Sequence, residues 1–216
     1  MIHNLSKDSS IAHEFLRQLR DVNVQNDPTR FRHNLHRIGQ IIAYELSKSL
    51  SYDEVEVETP MGEATCARLT DKIVLAAILR AGLPLHEGLL SYFGNAENAF
   101  IASYRRHHKD GTFEIAMEYA TFPPVTNKTL ILADAMIATG SSIENAYEAL
   151  SEDGEPDKFH VVCAIASSQG IDRLSRIYPK AQIWTAAIDD ELTAKSYIVP
   201  GLGDAGDLAY GLKQQD

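Results

Sequence analysis

Few features of the sequence point to a membrane or to disulfide bonds. The 216 residues include two cysteines, Cys66 and Cys163, and a chain of this length can bury a full core without disulfides. No apolar stretch approaches the ~20 residues of a membrane span, and the first residues, MIHNLSKDSSIAHEF, lack the apolar core and cleavage pattern of a signal peptide. Two widely separated cysteines without an export signal predict a reducing, cytoplasmic location and no membrane partner.

Positive charge is also scarce. Lysine and arginine number 20 against 30 aspartates and glutamates, which gives a formal net charge of −10 at pH 7. A non-specific nucleic-acid binder normally carries an excess of the opposite sign, so we expect no nucleic-acid partner. A polyanionic small molecule is still compatible with this balance, because local arginines, backbone amides or a metal ion can bind it.

Apolar runs alternate with helical patterns along the chain. Continuous runs such as KIVLAAIL (72–79) and TLILAD (129–134) are typical of central strands of a parallel sheet, which are buried on both faces. An amphipathic helical pattern begins at Pro28 and precedes them. We predict a single α/β domain over residues 1–216, with a mainly parallel sheet flanked by helices and with N-terminal helices at about 9–50.

One segment, at about 101–119, departs from this alternation. It places an Asp-Gly turn between two extended stretches, which is a strong hairpin signal. A hairpin inserted in a parallel fold is a candidate lid or arm, and an edge hairpin without a role is the equal alternative. His107 and His108 lie in this segment, and because adjacent side chains of a strand face opposite ways they are poor joint metal ligands.

The stretch GLGDAG (201–206) has the G-x-G-x-x-G spacing of a dinucleotide-binding turn. That motif also requires a helix, a second strand and an acidic residue ~20 positions further on. Ten residues follow Gly206, which leaves no room for these parts. We therefore expect the glycines to shape a different kind of loop.

The stretch LILADAMIATGSS (130–142) carries the strongest chemical signal. A buried strand ends in Asp134, and a turn with hydroxyls and a glycine leads into a helix for which Ser141 and Glu144 predict a capping box. Ligands of open α/β sheets lie outside the carboxyl ends of the strands. These features favour a phosphate site, with a merely well-capped helix as the alternative, and the Walker A pattern is absent.

Three segments together resemble the uracil phosphoribosyltransferases. Residues 130–142 are similar to the motif that binds 5-phospho-α-D-ribose 1-diphosphate (PRPP) in phosphoribosyltransferases. ILRAGLPLHEGLL (78–90) resembles the family's pyrophosphate-side loop, and YIVPGLGDAGDLAYG (197–211) resembles its C-terminal uracil-binding loop. The similarity runs from about residue 30 to residue 211, and the C-terminal loop is its part most specific to uracil.

The resemblance implies that uracil and PRPP react to give UMP and pyrophosphate in pyrimidine salvage, with Mg²⁺ as the cofactor. Cleavage at the anomeric carbon requires orientation of two substrates and stabilisation of the departing anion, with no protein nucleophile. The resemblance also implies a homodimer or a larger homo-oligomer. It leaves open whether GTP is an effector.

The resemblance assigns roles to residues of all these segments. Arg80 and Arg105 align with arginines that contact PRPP, and Arg106 is a neighbour of Arg105 with the same chemistry. Asp134, Asp204 and Arg105 are the catalytic candidates, and Asp204 also belongs to the PRPP site as a candidate ligand of Mg²⁺ held mainly through PRPP. The remaining PRPP-site residues are Ala135, Met136, Ile137, Ala138, Thr139, Gly140, Ser141 and Ser142. The uracil-binding residues are Ile198, Gly203, Asp204 and Ala205.

The chain departs from the family pattern at Pro84, Ala135 and Ser141, where glycine, proline and glycine are usual. It also ends in LAYGLKQQD instead of an aromatic-Gly-Thr sequence. Pro84 removes an amide donor and fixes φ, so these departures bear on reaction rate and nucleotide activation more than on reaction type. Two alternatives stay open: a phosphoribosyltransferase for another base, and a non-catalytic nucleotide-sensing regulator that keeps the fold.

Overall fold

A computed structural model describes residues 1–107 and 113–213, with side chains described outside 103–118. The strands, in chain order, are β1 (Ile2–Asn4), β2 (Tyr52–Thr59), β3 (Gly62–Leu69), β4 (Ile73–Leu79), β5 (Glu97–His107), β6 (Phe113–Thr121), β7 (Thr129–Ala133), β8 (Met136–Ile137), β9 (Lys158–Ser167), β10 (Gln182–Asp189), β11 (Glu191–Leu192) and β12 (Ile198–Val199). The α-helices are α1 (Ile11–Arg20), α2 (Pro28–Ser47), α3 (Leu83–Leu90), α4 (Ser141–Leu150), α5 (Ser168–Ile177) and α6 (Ala205–Tyr210).

The main sheet is mixed but mostly parallel, which confirms the predicted α/β fold. Its strand order is β1-β10-β9-β7-β4-β5-β6, and β8 also pairs with β9. Within it, β5 and β6 pair antiparallel while the other paired strands run parallel. The predicted hairpin thus corresponds to β5 and β6, whereas its Asp-Gly turn, His108 and the side chain of His107 lie outside what is described. Its role as a lid stays a prediction.

The sheet lies between two helical layers because its central strands are apolar on both faces. In β4, Leu75 packs in a cluster with residues of α1, α2 and α3, whereas Val74 and Ala76 pack in a second cluster with residues of α4 and α5. Cys163 is buried in this second cluster, and burial raises the pKa of its thiol to about 12. A thiol with so high a pKa is an unreactive core residue.

Two helices that matter for the site pack unusually closely. A Cβ on Gly39 of α2 would lie 2.3 Å from the carbonyl oxygen of Leu85, and one on Gly88 of α3 would lie 2.1 Å from that of His36. Only glycines allow the two backbones to approach this far. The contact fixes α3 and, with it, the loop between β4 and α3.

Two smaller antiparallel pairs stand apart from the main sheet. β11 pairs with β12 near the C-terminal loop, and β2 pairs with β3 to form an arm whose side chains are mostly exposed. None of the helices in the described part of the chain is long and apolar enough to cross a membrane.

Candidate active site

A cleft of about 200 Å³ joins the segments that the sequence singled out. Residues 134–140, 142 and 143 border it on one side, and residues 196, 197 and 203–206 border it on the other, with Ala81 between β4 and α3 completing the lining. Ala81 and the turn from Asp134 follow the carboxyl ends of β4 and β7 in the main sheet, as expected for a ligand site in an open α/β fold. The 196–206 segment comes later in the chain than β10 and contains β12 of the small β11–β12 pair.

Asp134 is held directly after β7 by the neighbouring strand. Its amide donates to the carbonyl oxygen of Val162 at 3.0 Å, and its carboxylate accepts hydrogen bonds from the amides of Ala135 and Met136. Burial opposes the charged form and outweighs these bonds, so the pKa of Asp134 rises to about 7. The carboxyl therefore gains or loses its proton near neutral pH, according to the charge that enters the cleft.

The turn after Asp134 is fixed against β9 and α5. The carbonyl oxygen of Ala135 accepts from the amide of Ala164 at 3.0 Å, and the carbonyl oxygen of Ala138 accepts from the hydroxyl of Ser167. A Cβ on Gly170 would lie 2.4 Å from that same Ala138 oxygen. This close approach holds the turn in one position at the rim of the cleft.

The start of α4 differs from the predicted capping box. Gly140 is the N-cap residue, with φ of 82°, and no side chain caps the helix. The reason is that Ser141 is already the first helical residue, while the side chain of Glu144 pairs with Arg173 instead. The hydroxyl of Thr139 accepts from the amide of Ser141 at 3.4 Å. The other first-turn amides are left for solvent or a ligand, which is the arrangement that favours phosphate.

Arg80 lies beside the cleft and contacts the C-terminal segment. Its guanidinium donates to the carboxylate of Asp207 at 3.0 Å and to the carbonyl oxygen of Gly211 at 3.2 Å, and its side chain is 40% exposed. A Cβ on Gly206, a residue of the cleft, would lie 3.5 Å from an Arg80 nitrogen. The Leu79–Arg80 peptide bond is cis.

The Arg80 loop touches the Asp134 turn through Gly82. A Cβ on Gly82 would lie 2.6 Å from the carbonyl oxygen of Ala133 and 3.2 Å from the Cα of Asp134. Any side chain there would separate the two loops. The glycine of the LRAG sequence therefore allows the backbones of the two predicted substrate loops to meet.

The C-terminal loop turns sharply before α6. Ile198 is buried and pairs with Leu192, and Gly201 and Gly203 have φ values of 58° and 95°, which favour glycine. Asp204 caps α6 by accepting from the amide of Asp207 at 3.0 Å, and its other carboxylate oxygen lies 3.8 Å from the ammonium of Lys213. Asp204 thus has a structural role and also faces the cleft.

The structure brings most of the predicted residues together, but not all of them. Ser141 and Ile198 lie next to lining residues without lining the cleft, Arg80 lies at its side, and the side chain of Arg105 is outside the described part. Sequence reasoning did not name five of the lining residues, which are Ala81, Ile143, Ser196, Tyr197 and Gly206. Ala81, Tyr197 and Gly206 belong to the quoted motifs, whereas Ile143 and Ser196 lie just outside them.

No preformed metal cage occurs in the described residues: they contain no group of three or more His, Cys, Asp or Glu side chains arranged to hold an ion. A metal ion at this cleft would therefore take most of its ligands from a bound substrate or from water.

Solved structures and sequence relatives define first the class and then the family. The fold is that of the phosphoribosyltransferases: the adenine phosphoribosyltransferase of Trypanosoma brucei superposes with a TM-score of 0.55 over 90% of this chain and 86% of that one, and its 14% identity supports the fold alone. The AQ2163 protein of Aquifex aeolicus superposes with a TM-score of 0.87 at 30% identity, covering 98% of this chain and 99% of that one.

The family model for uracil phosphoribosyltransferase matches residues 6–211, so the chain belongs to the uracil phosphoribosyltransferase family. The uracil phosphoribosyltransferase of Porphyromonas gingivalis is 49% identical over 214 residues, which cover 99% of both chains. That of Thermococcus gammatolerans is 39% identical over 208 residues, which cover 95% of this chain and 91% of the relative.

Proposed function

We propose that the protein transfers the 5-phosphoribosyl group of PRPP to uracil, forming UMP and pyrophosphate in pyrimidine salvage. Family membership over nearly the whole chain supports this activity. The structural observation that carries it is the single cleft in which the 134–142 turn faces the 196–206 loop. One cavity can therefore hold a phosphorylated ribose against one loop and a base against the other.

The 134–142 turn binds the ribose 5-phosphate part of PRPP in this proposal. The amides at the start of α4, the hydroxyl of Thr139 and the backbone around Gly140 suit a phosphate. Asp134 lies at the inner end of the turn, where its carboxylate can accept hydrogen bonds from the ribose hydroxyls. Such bonds orient the anomeric carbon toward the base, and orientation is the main demand of this reaction.

Arg80 and Arg105 bind the pyrophosphate in this proposal. Arg80 uses one nitrogen for Asp207 and another for Gly211, which leaves guanidinium donors for a second, anionic partner. The negative charge of Asp207 also holds this cation at the cleft before substrate arrives. The role of Arg105 rests on the family resemblance.

The residues present fit an Mg²⁺ ion that is held mainly through PRPP. Asp204 provides one partly exposed carboxylate at the cleft, and the described residues add no ready-made set of ligands around it. Oxygen ligands suit this ion, and Mg²⁺ usually combines one or two carboxylates with substrate phosphates and water. When bound, Mg²⁺ would neutralise charge that develops on the departing pyrophosphate.

We also expect a homo-oligomer in the cytoplasm. Apolar side chains are exposed along the β2–β3 arm, including Tyr52 at 46% and Met61 at 96%. An isolated two-stranded hairpin is only marginally stable in water, so coverage of this arm by a second subunit would stabilise it. Regulation by GTP rests on the family resemblance, and titration of GTP into the activity assay tests it.

The test of the function is the release of pyrophosphate and UMP by the purified protein with uracil, PRPP and Mg²⁺. We expect turnover that depends on all three. The same assay run with cytosine, adenine, guanine and hypoxanthine identifies a phosphoribosyltransferase for another base. Nucleotide binding without any turnover would contradict the proposal and favour a non-catalytic regulator.

A further inference from the structure

An ion pair outside the described cleft, formed by a buried aspartate and a partly buried arginine, contacts the backbone of the C-terminal loop. Asp189 ends β10 and is 7% exposed, and its two carboxylate oxygens accept from the Arg20 guanidinium at 2.7 and 2.8 Å. The amide of Gly201 donates to Asp189 at 2.9 Å, and Arg20 also donates to the carbonyl oxygen of Gly201 at 2.9 Å. Both backbone groups of Gly201 are thus bound by one ion pair.

Arg20 is itself fixed on the main body of the protein. It is the last residue of α1, its side chain is 24% exposed, and its carbonyl oxygen accepts from the side chain of Gln25 at 3.2 Å. Leu16 and Leu19 of the same helix belong to the core cluster. The ion pair therefore ties the loop to a rigid helix.

Gly201 occupies the tightest point of the loop. Its φ is 58°, and a Cβ there would lie 2.2 Å from the carbonyl oxygen of Ile198. Ile198 lies before this point, and Gly203 and Ala205 lie after it. A rotation of the Gly201 peptide would displace these residues on both sides.

We infer that Arg20 and Asp189 are positioning residues for uracil recognition. They hold the Gly201 backbone so that the main-chain groups of residues 198–205 lie in the order of donors and acceptors that the base requires. The inference rests on the proposed assignment of uracil to this loop. A loop that reads a base through its backbone gains affinity from being held in the bound conformation before binding.

The chemistry of both side chains suits this role. Arginine presents several donors in a planar fork, so one guanidinium can bind two carboxylate oxygens and a carbonyl oxygen together, whereas lysine is a point donor. An asparagine at position 189 keeps one acceptor but turns an amide nitrogen toward Arg20 or toward the Gly201 amide. Arg20→Lys should therefore retain part of the function, and Asp189→Asn should retain less.

The experiment compares Arg20→Ala, Arg20→Lys and Asp189→Asn with the wild type in steady-state kinetics for each substrate. We expect KM for uracil to rise about 10-fold or more in Arg20→Ala and Asp189→Asn, in keeping with the cost of small displacements of binding groups. KM for PRPP and kcat should stay within about twofold, because the lost interaction concerns the base. Arg20→Lys should recover part of the loss.

Arg17→Ala provides a matched control from the same helix. Arg17 is 55% exposed and pairs with Glu14 and Asp21, so its removal deletes two surface ion pairs without touching the loop. Thermal unfolding of every variant is recorded in parallel. A lower melting temperature with an unchanged KM for uracil would overturn the inference, because it would reduce the ion pair to a stabilising contact.

The lysine variant decides the question if the alanine and asparagine variants do not fold. A normal KM for uracil in a folded Arg20→Lys protein with normal selectivity between uracil and cytosine would contradict the inference. Turnover of uracil by the wild type is measured first. Its absence would refute the proposed function and, with it, the assignment of uracil to the C-terminal loop on which the inference rests. Turnover with unaffected variants would refute the positioning role alone.

Discussion

Replacing Asp134 with asparagine should stabilise the ligand-free protein at alkaline pH while it removes most of the activity. The carboxyl is nearly isosteric with the amide, and the amide oxygen can still accept a backbone hydrogen bond at this position. The substitution therefore deletes a buried charge with little change of shape. A buried carboxylate that serves substrate binding is thus expected to lower the stability of the ligand-free protein.

The magnitude follows from the raised pKa. A tenfold change in a protonation equilibrium is worth about 1.4 kcal/mol, so a pKa of about 7 in place of 3.8 costs the ionised folded form about 4 kcal/mol. Because the carboxyl still borders water in the cleft, we expect about 2–4 kcal/mol. For a chain of this size that corresponds to a rise in melting temperature of about 2–4 °C per kcal/mol.

The pH dependence distinguishes this cause from others. Below about pH 4 the carboxyl is protonated in both the folded and the unfolded chain, so it imposes no cost. Between about pH 4 and pH 7 the unfolded chain ionises first, and the wild type loses stability relative to the variant as the pH rises. Above about pH 7 the difference is constant.

The assay is thermal unfolding of wild type and variant at pH 5 and pH 8 at equal protein concentration, with Asp153→Asn, at an exposed position, as the control. Saturating PRPP with Mg²⁺ should raise the melting temperature of the wild type more than that of Asp134→Asn. Equal melting temperatures of the two proteins at pH 8, or a difference independent of pH, would refute this account of the buried charge.

Three further predictions concern the substrates. Arg80→Ala should raise KM for PRPP about 10- to 100-fold and leave uracil affinity nearly unchanged, because a charge-assisted contact is lost; unchanged PRPP kinetics would remove Arg80 from the site. Asp204→Asn should keep the cap on α6, since asparagine is an equally good N-cap, but lower kcat at least ~10²-fold, which kinetics and a Mg²⁺ titration would check. Uracil should exceed cytosine in kcat/KM by up to ~10⁴, because a fixed backbone pattern mismatches the reversed groups of cytosine; comparable values would contradict a backbone-read base.

The elements that the sequence predicted well are those governed by local patterns. The continuous apolar runs of β4 and β7 became strands buried on both faces, and α2 begins at Pro28 as its pattern indicated. The predicted capping box required Ser141 to be the N-cap residue, but the helix already begins at Ser141. Gly140, in the left-handed conformation, is the N-cap residue instead. A left-handed glycine and a side-chain cap are alternatives that the spacing alone does not separate.

The candidate site shows the same division. Most of its residues fall in three motifs that could be located because each motif is continuous in sequence, whereas the lining residues Ile143 and Ser196 lie just outside them. Arg20 and Asp189 had no such signal, because they lie 169 residues apart and each is an ordinary charge at the end of an element. Their function depends on a contact that exists only once α1 is packed against the sheet.

If the C-terminal loop binds the base as proposed, its affinity should depend on distant residues. Its glycines allow the backbone to turn sharply, but the same freedom raises the entropy that binding must overcome. Contacts from elsewhere remove it: the Arg20–Asp189 pair holds Gly201, and Arg32 of α2 donates to the carbonyl oxygen of Ala209 at 2.6 Å. The short motif therefore determines which backbone groups are offered to a ligand. The N-terminal helices determine where those groups lie, so substitutions in α1 and α2 should act on base affinity without contacting the base.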